Sequence, residues 1–324
     1  MSKSQCSFVQ KDRTMDIYKK DNHLLILGNG FDLDIGYRTK YSDFARSDFW
    51  PFSEHTDGLG GYLQSRATTD NWLDLEMALL NYASYRNGAA KAGAGGRYPI
   101  DSDKSDYQTL VLFLQWYIKR IINEREVKPE SVAAQVLRTV LGNKRCKIYS
   151  FNYTNLRKIA YALYIKDSIY DRQNYNLEYV PIHGCAESKE IILGVNSDAQ
   201  LLAGYDFLRK NEQPSFCSTD LRQDLMYSKE ITFFGLSMGS IDYPYFREFW
   251  ESLSNNTIHT KYKKHITIFT YNNSSRFEII NSIKAIARED LLNIQSNAYV
   301  DIICTHECSS QSNDKIRDWT NRNK

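Results

Sequence analysis

His23-Leu24-Leu25-Ile26-Leu27 runs directly into Gly28-Asn29-Gly30, and this junction constrains the fold more than any other segment. An apolar run without polar alternation suits a strand covered on both faces, as in a parallel sheet. The glycines that follow mark a turn. Without Cβ atoms, their backbone N–H groups can approach a diphosphate, and a helix starting there adds its N-terminal dipole. The spacing is not the dinucleotide fingerprint GxGxxG, since Phe31, Leu33 and Asp34 follow the second glycine. A glycine turn after a strand therefore leaves a nucleotide site and a plain structural turn both open.

Short apolar or β-branched runs recur downstream and read as buried strands: Cys146 to Phe151, Tyr179 to His183, Ile191 to Val195, Ile231 to Phe234, His265 to Thr270 and Tyr299 to Cys304. Helical spacing of apolar residues lies between them, over Trp72 to Tyr85, Asp106 to Arg125, Ser131 to Leu141, Leu156 to Ile165, Tyr243 to Leu253 and Arg276 to Ala287. Strands alternating with helices predict an α/β, Rossmann-like, mostly parallel sheet with helices on both faces. Residues 39–130 break the alternation and read as a helical insertion after the first strand. Within it, Asn87 to Gly96 is Gly/Ala-rich and reads as a surface connector, with a mobile lid as the alternative. Residues 1–21 read as a flexible N-terminal arm, 22–324 as one domain, and Gln311 to Lys324 as a polar tail.

A chain of 324 residues with 42% apolar and 25% charged residues fills a globular core easily. Its net charge of +2 gives no basic face, so nucleic acid is not an expected partner. The densest basic run, Lys261-Tyr262-Lys263-Lys264, reads as a solvated loop leading into a strand, with a phosphate contact as the alternative. The six cysteines are scattered without a CxxC pair, and MSKSQCSFVQKDRT has no apolar leader. A cytoplasmic protein with free thiols is expected. The longest apolar run, near Leu110 to Leu114, is too short to span a bilayer, so no membrane contact is expected.

Gly28-Asn29-Gly30-Phe31-Asp32, then Gly36, Thr39, Tyr41, Asp43 and Phe44, resembles the N-terminal signature of the AbiH-type bacteriophage abortive infection family. Every fixed position of that signature is matched. Three later segments agree: Ser150-Phe151-Asn152-Tyr153-Thr154-Asn155, Ile182-His183-Gly184, and Gly235-Leu236-Ser237-Met238-Gly239-Ser240-Ile241-Asp242. The resemblance thus runs from about Leu24 to Trp250. Each segment ends a predicted strand, where open α/β sheets place their ligands. Leu236 replaces the histidine of the family's usual GHS.

The same pattern is similar to sirtuin-like NAD-hydrolysing defence proteins. That likeness implies NAD, or a related adenine nucleotide, as ligand and substrate, with no metal. It implies cofactor contacts from Gly28, Asn29, Gly30, Phe31, Asp32, Gly235, Ser237 and Asp242, and catalytic roles for Asn152 and His183. Asn152 would order the nicotinamide ribose and His183 would act as base. Thr154 departs from the aspartate of the TNYD-like string, and the four-cysteine zinc module of ordinary sirtuins is missing. Cys304-x-His306-x-Cys308 supplies only three potential ligands.

Plainer roles stand beside these. His183 can be a satisfied structural histidine, Asn152 can cap the helix starting near Thr154, and Asp242 can cap the helix at Tyr243. Asp34 reads as structural, and Asp32 is open. Asp74 and Glu76 complement a helix dipole, although the resemblance leaves room for Glu76 to face a pocket. Three functions follow: an antiphage effector that binds and hydrolyses NAD; a non-catalytic sensor of an ADP-ribose-like nucleotide that switches assembly with a partner; and a nuclease. The resemblance also leaves room for a homo-oligomer or a defence-system partner protein.

Overall fold

In the computed structural model the described residues are 23–69, 74–91, 99–142, 146–166, 178–188, 190–213, 216, 219–239, 241–255, 263–287, 291–306 and 310–323. The expected N-terminal arm, Trp72, the second half of the Gly/Ala-rich segment (92–96), Lys261, Tyr262, Ser240 and Cys308 lie outside them.

In chain order the elements are β1 (His23–Leu27), α1 (Asn29–Asp34), α2 (Tyr41–Ala45), α3 (Gly58–Thr69), α4 (Leu75–Lys91), α5 (Ile100–Glu124), α6 (Val132–Gly142), β2 (Cys146–Ser150), α7 (Leu156–Lys166), β3 (Glu178–Pro181), β4 (Gly184–Cys185) and β5 (Glu190–Ile191). Then follow α8 (Leu221–Tyr227), β6 (Glu230–Phe234), α9 (Tyr243–Ser254), β7 (Lys264–Thr270), α10 (Asn273–Ile286), α11 (Leu291–Asn297), β8 (Ala298–Cys304) and α12 (Ser310–Arg322).

Six strands form one parallel sheet in the order β3-β2-β1-β6-β7-β8. All five residues of β1 are buried, because it lies between β2 and β6 and both faces are covered. Leu25 and Leu27 pack with the helices on one face, Leu24 and Ile26 with those on the other. The first face carries α3 to α7 and α12, the second α8 to α11. The α/β, Rossmann-like arrangement with helices on both faces is therefore as the patterning predicts. The order places a topological switch point between β1 and β6, the usual ligand crevice of an open α/β sheet.

The stretch between β1 and β2 is helical among the described residues. Its longest helix, α5, buries Leu110, Leu114, Ile118, Ile121 and Ile122, each contributing roughly 1.5–3 kcal/mol by leaving water. Asp103 of α5 is fully buried and accepts from the Leu59 N–H (2.9 Å), the Tyr82 hydroxyl (2.9 Å) and the Tyr205 hydroxyl. This carboxylate joins α3, α4 and α5 to the segment that follows β5.

Four expectations are corrected. Ile191 to Val195 is not a strand of the main sheet: Glu190–Ile191 pairs antiparallel with Gly184–Cys185, and Val195 makes an isolated parallel bridge with Arg209. Leu193 is buried there with its carbonyl held by Tyr107 and Gln213 side chains instead of a neighbouring strand. The Gly/Ala-rich segment is helical as far as Lys91, since its alanines favour helix. The polar tail is the amphipathic helix α12, which buries Ile316 and Trp319. Lys264 does not sit in a solvated loop. It is buried at the start of β7, and its ammonium donates to the Met226 (2.8 Å) and Ser228 (2.6 Å) carbonyls at the end of α8, where a cation suits the helix dipole.

Candidate functional site

The glycine turn after β1 meets the Gly235 turn after β6, backbone to backbone. A Cβ at Gly30 would lie 2.5 Å from Gly235 Cα, and one at Gly28 would lie 2.6 Å from Leu236 Cα. Gly235 has φ +63, and its own Cβ would lie 2.3 Å from Gly30 Cα. Neither turn tolerates a side chain at this crossing. The Gly28 N–H donates to Phe234 O, the Gly30 N–H to Gly235 O and the Phe31 N–H to Gly28 O, each at 2.9 Å. Those three groups thus serve the protein itself. Phe31 is fully buried, edge-on to Phe234, and Asn29 Oδ1 accepts from Thr39 Oγ1 at 2.5 Å. The signature residues accordingly lock two strand-end loops together.

Asp32 is buried beneath this crossing. Its Oδ1 accepts from Asn152 Nδ2 at 2.9 Å and from Thr154 Oγ1 at 3.0 Å, and Asn152 Nδ2 also reaches the Gly28 carbonyl at 3.1 Å. Burial pushes the Asp32 carboxyl up to about 7, against the pull of the Thr154 and Asn152 bonds. Asn152 therefore does not cap α7. Asn155 does, its Oδ1 accepting from the Arg157 N–H at 3.0 Å. Asp34 points elsewhere and accepts from the Ala133 N–H, in the first turn of α6, at 2.7 Å.

The segment after β2 alternates. Asn152 and Thr154 bond Asp32, whereas Phe151 and Tyr153 lie against the imidazole of His183, with ring centroids 5.3 and 6.5 Å away. Tyr245 of α9 closes a third side at 6.2 Å. His183 is buried just beyond β3, and its Nε2 lies 3.1 Å from Lys210 Nζ. Lys210 in turn donates to Glu76 Oε2 at 3.0 Å. Its 2.9 Å approach to Oε1 is a charge contact whose angle makes no hydrogen bond. Burial drives the His183 pKa well below 6.5, the Lys210 charge adds to this, and a bond to the Phe151 backbone opposes it. Burial likewise raises Glu76 to about 7, with Lys210 opposing and Asp242 adding.

Asp242 occupies the N-cap position of α9 but makes no side-chain cap bond. Burial raises its pKa, Lys210 opposes, and Asp74 adds. Asp74 itself caps α4, accepting from the Met77 N–H at 3.1 Å. The dipole reading thus fits Asp74, whereas Glu76 turns inward to Lys210. Tyr41 and Tyr153 share a 3.2 Å hydroxyl contact beside this cluster, and both feel the Glu76 charge. Ser237 is exposed on the Gly235 loop, apart from both groups of bonds.

Lys210 was not legible in the sequence. It follows no strand or helix pattern, and only the tertiary fold brings it under His183. Thr154, which reads as a departure in the sequence, is the second donor to Asp32. Among the described residues no group of three or more His, Cys, Asp or Glu is placed to hold a metal ion, and the Cys304-x-His306-x-Cys308 string lies partly outside them. No described helix is long and apolar enough to cross a membrane.

No curated protein matches the chain. The family model described as bacteriophage abortive infection AbiH matches residues 24–264, a span from β1 to the start of β7 that takes in every residue of the site, and the chain belongs to that family.

Proposed function

We propose that this protein is an antiphage abortive-infection effector that binds NAD, or a related adenine nucleotide, and hydrolyses its nicotinamide–ribose bond. The observation that carries this reading is the placing of two buried polar groups, Asp32 with Asn152 and Thr154, and His183 with Lys210 and Glu76, at the loops that follow the central strands, where open α/β sheets bind ligands. Buried carboxyl groups with raised pKa values and a neutral imidazole are the kind of perturbed groups that functional sites collect.

The chemistry asks little beyond positioning and charge. The C1′–N bond breaks and its electron pair returns to the pyridinium nitrogen, releasing neutral nicotinamide. Water adds to the oxocarbenium-like C1′ and passes a proton to a base, leaving ADP-ribose. In this reading His183 is the base and Asn152 orders the ribose. The glycines contribute by letting two loops meet, since the N–H groups of Gly28, Gly30 and Phe31 are already engaged.

One observation favours a second reading, a nucleotide sensor: Lys210 stands on His183 Nε2, where a substrate-facing base would be open. The nuclease reading finds no support in the Asp32/Asp34 pair, because the two carboxylates bond different partners. The deciding experiment follows NAD over time with purified protein and with the His183→Ala and Asn152→Ala variants. NAD loss with nicotinamide release, absent in both variants, is expected. Nucleotide binding without any turnover, in the test tube and in infected cells, would select the sensor.

A further inference from the structure

Lys210 and Glu76 set the state of His183. An ammonium has three donors and no acceptor. The contacts with Glu76, at 3.0 and 2.9 Å, hold the Lys210 ammonium in place. His183 Nε2, 3.1 Å from the same ammonium, can therefore only accept. The ring proton must then sit on Nδ1. Nε2 is thus engaged inside the protein.

The arrangement spans three parts of the chain. Glu76 comes from the first turn of α4, His183 from the end of β3, and Lys210 from the segment between β5 and α8. That segment is fixed: the Lys210 N–H donates to Val195 O at 2.9 Å, and Tyr205 is tied to Asp103. Only the Lys210 side chain can move the ammonium. The phenols of Tyr153 and Tyr245 face the imidazole, and Asp74 before α4 and Asp242 before α9 lie in the field of the Glu76–Lys210 pair.

We propose that Lys210, anchored by Glu76, is the positioning residue of His183: its ammonium fixes the imidazole as the Nδ1–H tautomer and holds the Nε2 lone pair until it is drawn aside. The inference rests on reading His183 as the base of the proposed reaction. It makes the resting protein a latent one, whose base is released by a ligand or partner that attracts the Lys210 ammonium.

The test is two-bond ¹H–¹⁵N correlation of the histidine rings in the ligand-free full chain, with His183→Asn to assign the signal. The wild type should show His183 as the Nδ1–H tautomer, unprotonated well below the ordinary 6.5. Lys210→Met should shift the Nε2 resonance and move the titration up by about one pH unit or more, because a like charge is removed. Glu76→Gln, which keeps the side-chain volume, should shift the same resonance by loosening the ammonium, and it serves if Lys210→Met does not fold. An Nε2–H tautomer in the wild type, or a His183 signal unchanged in the folded variants, would overturn the proposal. No nucleotide enters this measurement, so its outcome is separate from that of the NAD assay.

Discussion

Asn152 Nδ2 donates at once to the Gly28 carbonyl, 3.1 Å away, and to Asp32 Oδ1, 2.9 Å away. One amide thus ties the end of β2 to the glycine turn and to a carboxyl group that burial holds near pH 7.

That raised carboxyl gives stability a pH signature. Asp32 titrates near 3.8 when unfolded and near 7 when folded, so between those values the folded chain holds a proton that the unfolded chain releases. Its contribution falls as pH rises through this window and is constant above it. Glu76, raised to about 7, acts in the same direction. The depressed His183 and His23, the latter near 4, act oppositely. The comparison of Asp32→Asn with wild type isolates the first term, since asparagine keeps an oxygen for Asn152 and Thr154. The variant should gain stability relative to wild type between pH 4 and 7, by roughly a few kcal/mol. Urea denaturation across that range gives the answer, and a constant difference would place the Asp32 pKa at its ordinary value.

The loop crossing should be intolerant of a single methyl group. Gly235→Ala puts a Cβ 2.3 Å from Gly30 Cα in a left-handed backbone, and Gly30→Ala puts one 2.5 Å from Gly235 Cα. Backbone cannot rotate away as a side-chain tip can. Each change should cost about 2–5 kcal/mol. Gly142→Ala is the control: nothing lies within 4 Å of its added Cβ, and it ends a helix, so it should be neutral or stabilising by up to about 1 kcal/mol. Equal denaturation midpoints for all three would contradict the crossing.

The sheet was legible in the sequence because parallel strands covered on both faces are continuous apolar runs. His23 to Leu27, Ile231 to Phe234 and His265 to Thr270 carry that signal directly. Ile191 to Val195 carries the same signal and is not a sheet strand, because burial under helices selects the same residues. Trp319 escaped notice because α12 is polar over most of its surface and docks through few side chains. In the site, Asn152, His183 and Asp242 could be picked out by their place at predicted strand ends. Lys210 and the Thr154–Asp32 bond could not, since sequence spacing says nothing of which loop lies over which.

Thr154 tests whether that bond matters. An aspartate there, as in the TNYD-like string of the sirtuin-like proteins, would set a second carboxyl against Asp32 Oδ1, now 3.0 Å from the threonine hydroxyl. Two buried carboxyls in contact must share a proton. Thr154→Asp should therefore fold near pH 5 and lose stability steeply toward pH 8, by more than wild type does. Thr154→Asp combined with Asp32→Asn should recover most of that loss. A pH-independent penalty in the single variant would point to shape rather than charge.

Trp319 should hold α12 on the sheet. Its ring is 2% exposed, lies edge-on to Phe269 at 5.3 Å and to His23 at 5.9 Å, and its indole N–H donates to Thr232 Oγ1 at 3.1 Å. The same hydroxyl meets His23 Nε2 at 2.9 Å, so one threonine links β1, β6 and the last helix. Trp319→Ala removes the ring and leaves a cavity, at a cost of about 3–5 kcal/mol. Trp116→Ala, at a ring 43% exposed on α5, should cost less than about 1 kcal/mol. Hydrogen exchange then separates two outcomes within the effect. Loss of protection confined to α12 means the helix is a docked addition. Loss that spreads to β1 and β6 means the Thr232 link is part of the central sheet's own stability, which is the outcome the shared hydroxyl predicts.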